Sequence, residues 1–142
     1  MYTNSQFAVA VHMMTILAGN YGQQRVNSEL MARSVNTNPV IIRRILRKLV
    51  KGGLVAAVPG ATGGSVLTRP PEQISLLDIY RIEGKQPVCL PENNPNPECL
   101  VGKSFKGVLC SKLSEAEQAM ERKLAEVTIA DLYTECAEFP LF

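Results

Sequence analysis

Between positions 25 and 51 the chain places Arg25, Arg33, Arg43, Arg44, Arg47, Lys48 and Lys51 against a single acid, Glu29. Cations gathered this way suit a polyanion, because guanidinium forks and ammonium groups both hold phosphate and arginine also grips guanine edges. From Pro70 onward the balance reverses, with seven bases facing twelve acids. The segregation implies one part that meets a polyanion and another with a different task. Other chemistry is scarce. His12 is the only histidine of the 142 residues, so no serine–histidine–acid set forms and no histidine pair can share a metal. No paired-carboxylate motif stands out either. The glycines of Pro59-Gly60-Ala61-Thr62-Gly63-Gly64 mimic a phosphate cradle, yet no Gly-Lys-Ser/Thr follows and no helix opens there. These patterns argue against an enzyme and against a nucleotide site.

The cations need a scaffold, and the stretch Asn38–Lys51 supplies it. Asn38 can cap a helix and Pro39 suits its first position, where the missing N–H costs nothing. Ile42, Ile45, Leu46 and Leu49 recur at helical spacing and define an apolar face. Arg43, Arg44, Arg47, Lys48 and Lys51 take the other side with no neighbouring acid, and Gly52-Gly53 ends the helix. An amphipathic helix of this kind fits the major groove of DNA.

The rest of the chain reads as its mount. Thr3 and Gln6 fit a capping box before an apolar helix that carries Phe7, Val9, Met13, Met14 and Leu17 and stops at Gly19-Asn20. Residues 23–26 suit a short strand or an extended entry. Asn27 or Ser28 caps a second helix with Leu30, Met31 and Val35, and the break Asn36-Thr37-Asn38 leads into the basic one. Leu54–Val58 and Ser65–Thr68 read as two strands joined by the glycine turn. A helix-turn-helix followed by a hairpin is the order of a winged helix. Ser75-Leu76-Leu77-Asp78 starts a short helix that runs to Glu83-Gly84, and the prolines and asparagines of residues 85–101 exclude regular structure. A long helix follows from about Lys103 to Val127, with Phe105, Leu109, Leu113, Ala116, Met120, Leu124 and Val127 on one stripe. About seven turns of stripe exceed what so small a domain can cover, so a partner helix is the economical reading. Thr128–Asp131 restarts a helix with a capping box, and residues 139–142 form an apolar tail.

The fold class is therefore mainly α with a small β-hairpin wing: a winged helix-turn-helix over residues 1–84, a Pro/Asn-rich loop over 85–101, and a dimerisation helix with a C-terminal helix over 102–142. No apolar run reaches a membrane span and no leader follows Met1, which points to the cytoplasm and reduced cysteines.

In this order the pieces resemble the Rrf2 family of bacterial winged-helix transcription regulators, and its YwnA-type members in particular. The likeness is carried by Phe7-Ala8-Val9, by Ile45–Val55, by the wing Gly60–Leu67, by Ile74–Arg81, by Asn94–Gly102 and by Val127–Leu132. It implies a homodimer built on the long helix, with Leu109, Leu113, Ala116, Met120, Leu124 and Val127 at the interface, and a palindromic operator that is usually repressed. Some members hold an iron–sulfur cluster on three closely spaced cysteines. Here nine and ten residues separate Cys89, Cys99 and Cys110, wider than that motif, so no cofactor is expected. The three remain redox candidates. For Cys110 and Cys136 the plainer expectation is a small buried apolar side chain. Family wings often carry an arginine before the turn glycine, where this chain has Pro59, which leaves Arg69 as the wing residue able to reach phosphate.

On that reading Asn38, Val40, Arg43 and Arg44 face base edges, while Arg47, Lys48, Lys51, Ser28 and Thr37 face phosphates. The expected partners are double-stranded DNA and a second copy of the chain, with no membrane and an unknown effector. The competing reading is a protein-interaction module whose basic helix docks an acidic protein and never reads DNA.

Overall fold

A computed structural model describes residues 5–84 and 93–138. Thr3, Cys89 and the apolar tail 139–142 lie outside those residues. Three helices open the chain: α1 (Ser5–Gly19), α2 (Ser28–Val35) and α3 (Pro39–Lys51). The hairpin β1 (Val55–Val58) and β2 (Gly64–Leu67) follows, then a single 3-10 turn at Pro71–Gln73, α4 (Leu76–Glu83), α5 (Leu100–Glu126) and α6 (Ile129–Glu138).

The local signals hold. Asn27, rather than Ser28, caps α2 by accepting the Leu30 N–H at 2.8 Å, and Asn38 caps α3 through Val40 N–H at 2.9 Å. Asn36 turns the chain between them in the left-handed region, φ 59°, which asparagine tolerates better than most residues. Beyond Lys51 the left-handed residue is Gly53, with φ 80°. Gly52 is helical and serves a different purpose. A side chain there would strike Ile82 of α4, so its smallness lets α3 and α4 meet.

The core gathers Met13, Met14 and Leu17 of α1, Met31 of α2, Ile42, Ile45 and Leu49 of α3, Leu54 and Val55 of the wing base, and Ile74 and Ile79 around α4. β1 and β2 pair antiparallel with Val55 opposite Leu67 and Val58 opposite Gly64. The strand expected at residues 23–26 reduces to one rung, in which Val26 and Ser65 exchange backbone bonds of 3.0 and 2.8 Å.

The C-terminal segment does not form a separate unit with the long helix. Leu76 N–H donates to Val127 and Ile129 N–H to Ile74, at 2.9 and 3.0 Å, and Ile129 is fully buried. These bonds return the chain to the winged body, where α6 packs along α1 and Tyr133 covers Gly19. Thr128 and Asp131 cap α6 reciprocally. The Thr128 backbone N–H, and secondarily its side chain, hold the Asp131 carboxyl below its ordinary value. That cap is intact at neutral pH and is released only in acid, as pH falls through the lowered value.

Candidate nucleic-acid interface

The face that α3 turns away from the core is the basic one. Ile42, Ile45, Leu46 and Leu49 are buried, whereas Val40, Arg43, Arg44, Arg47 and Lys51 are exposed. Arg43, Arg44, Arg47 and Lys51 form no ion pair among the described residues. Their charge is therefore uncancelled and faces solvent along one side of the helix. Asn38 stands at its start with its side-chain Oδ1 accepting Val40 N–H, so it sets the geometry of the first turn whatever else it touches. Ser28 and Thr37, at the N-termini of α2 and α3, are half-buried.

Two members of the expected set are placed elsewhere. Lys48 is not one of five unneutralised cations: its Nζ lies 3.2 Å from Glu83 Oε2 and 3.2 Å from Gln6 Oε1. The Glu83 side chain is 0 % exposed. Its other oxygen, Oε1, is buried without a hydrogen-bond partner among the described residues. Lys48 thus ties α3 to α1 and α4 instead of standing free for phosphate. Arg69 is also occupied, donating through Nε to the Gln73 carbonyl at 3.1 Å and through Nη2 to Asp78 at 3.3 Å. It clamps the wing base to α4, which leaves the wing's own residues from Leu54 to Thr68 without any charge.

Glu83 was legible only as a polar residue ending a helix, because its partner is 35 positions away. His12 faces outward and meets Ser34 Oγ at 3.1 Å, linking α1 to α2 at the surface.

No residue of α5 is buried, although the helix is about 40 Å long at 1.5 Å per residue. Gln118, Glu121, Arg122 and Ala125 border a shallow groove with Leu77 and Arg81 of α4. At 3.6 residues per turn, Phe105, Leu109, Ala116 and Met120 fall on the opposite side of α5 from that groove. Ala116 and Met120 are exposed, and Leu109, Leu113, Leu124 and Val127 are half-buried. Cys99 caps α5, with Sγ accepting Gly102 N–H at 3.5 Å. Cys110 and Cys136 are exposed and are not the buried apolar residues expected of them. Among the described residues no three His, Cys, Asp or Glu side chains converge as a metal site. No described helix is long and apolar enough to cross a membrane.

The sequence profile of the Rrf2 family, described as iron-dependent transcriptional regulators, matches residues 3–135. The chain belongs to the Rrf2 family. It is 35 % identical over 130 residues to YwnA of Bacillus subtilis (strain 168), named as an HTH-type transcriptional regulator, covering 91 % of this chain and 95 % of that one. A solved transcriptional regulator from Lactobacillus plantarum is 25 % identical, with TM-score 0.76 over 94 % of this chain and 90 % of that one. IscR of T. potens shares the fold at 22 % identity, with TM-score 0.75 over 100 % and 94 % of the two chains. The winged-helix architecture and the long helix are those of Rrf2 regulators, and the chain is a DNA-binding transcription regulator rather than an enzyme.

Proposed function

We propose that two copies of this Rrf2 protein pair along α5 in the cytoplasm and set their α3 helices into successive major grooves of a palindromic operator, about 34 Å apart, repressing the adjacent gene. The observation that carries this reading is the division of α3 into a wholly buried apolar side and an exposed row of Arg43, Arg44, Arg47 and Lys51 with no ion pair among the described residues. Arg43 and Arg44, in the second turn, are the base readers together with Val40, which can touch a thymine methyl. Arg47 and Lys51 hold phosphate further along, joined by Ser28 and Thr37 at the N-terminal ends of α2 and α3. Binding needs no bound metal.

A gel shift on fragments selected from a random pool, in excess nonspecific competitor and EDTA, tests the assignment. Arg43→Ala should lose about 1–3 kcal/mol of discrimination at one position of each half-site, the worth of a bidentate guanine contact. Lys51→Ala should weaken selected and random DNA alike and make the salt dependence shallower. Equal losses from both variants on both kinds of DNA, or binding abolished by EDTA, would contradict these roles.

A further inference from the structure

The hairpin lacks a cation of its own, but a basic side chain stands beside it from another segment. Val26 and Ser65 exchange two backbone hydrogen bonds, at 3.0 and 2.8 Å, so the segment before α2 runs along β2 toward the turn. Neighbouring residues of an extended segment point to opposite sides. Val26 is 2 % exposed within the core, and Arg25 accordingly points out and is exposed. A Cβ built on Gly64, the first residue of β2 after the turn, would lie 2.9 Å from Arg25 Cβ and 3.0 Å from the Val26 carbonyl oxygen. The absence of a side chain at Gly64 is what lets Arg25 lie against the tip end of the hairpin. Arg25 forms no ion pair among the described residues, and the only acid between positions 5 and 68 is Glu29.

We propose that Arg25 supplies the cation that the wing lacks and binds a DNA phosphate at the outer flank of each half-site, beside the strand the hairpin approaches. The inference rests on the DNA-binding reading above. A guanidinium on a segment fixed by two backbone bonds loses less freedom on binding than one at a loop tip. A phosphate contact here acts on affinity and its salt dependence, not on sequence preference.

The test compares wild type, Arg25→Ala and Arg25→Lys on DNA selected by the wild type and on random DNA, across a salt series, with melting temperature as the folding control. For two contacts per dimer, Arg25→Ala should reduce the log–log salt slope by about 2, weaken both DNAs by the same factor and leave the melting temperature unchanged. Arg25→Lys should stay near the wild-type slope. An unchanged slope in Arg25→Ala overturns the proposal, and so does a loss confined to preference for particular flanking bases, which would make Arg25 a base reader. A wild type that selects no DNA would sink the regulator reading and this proposal with it.

Discussion

Replacing Leu109 and Met120 of α5 together by aspartate is expected to separate the proposed dimer into folded protomers and to weaken operator binding about 100- to 10,000-fold, the range over which linking two modules raises avidity. Neither residue belongs to the protomer's core, for Met120 is 43 % exposed and Leu109 half-buried. Their side of α5 points away from the α4 groove lined by Leu77 and Arg81. Carboxylates there would cost the protomer little and would repel across a paired interface. The large effect on DNA has a separate cause. A dimer binds its second half-site as an intramolecular event, and a protomer loses that advantage without losing a single contact of α3. Sedimentation equilibrium and a gel shift on the same samples check both halves. A double variant that remains dimeric, or that becomes monomeric with affinity unchanged, would show that α5 does not join the half-sites.

Lys48→Ala is expected to cost about 2–4 kcal/mol of stability, an effect that a solvent-facing phosphate contact would not produce. The Glu83 carboxylate is fully buried and already has an oxygen without a donor among the described residues. Removing its cation leaves an uncompensated buried charge, worth about 3–5 kcal/mol where both partners are buried. Lys48 is 39 % exposed along its side chain, so water can enter the vacated space and the expectation is set lower. The double variant Lys48→Met, Glu83→Leu should regain most of the loss, because an apolar pair of similar volume carries no desolvation penalty. Denaturant unfolding at fixed protein concentration measures all three proteins. Stability unchanged in Lys48→Ala, with a salt slope reduced as in Lys51→Ala, would return Lys48 to the phosphate set.

These two cases mark what the sequence discloses. The α3 helix, its Asn38 cap and its buried face are set by neighbours within four residues, where helical periodicity and capping chemistry act, and they are found as expected. The capping boxes at Ser75 and Thr128 are equally local. The turn glycines and the two strands of the hairpin likewise follow from residues a few positions apart. What periodicity cannot reveal is which outward cation meets a distant acid. Lys48 and Arg69 have the same side-chain chemistry as Lys51 and Arg47. Only the packing of α4 against α3 and the wing base brings Glu83 and Asp78 to them. The return of α6 onto α1 depends on the pairing of Leu76 and Ile74 with Val127 and Ile129, long-range contacts that leave no periodic trace. Arg25 counts toward the basic balance in the sequence, but its place beside Gly64 exists only once Val26 has paired with Ser65.

A hydroxyl-radical footprint of the wild-type protein on DNA it has selected tests the central claim most directly. Two α3 helices held by one dimer predict paired zones of protection centred one helical turn apart on a single face of the duplex, about 10 base pairs between centres or a whole multiple of that spacing. A single protected zone, or protection spread evenly along the fragment, would contradict the account.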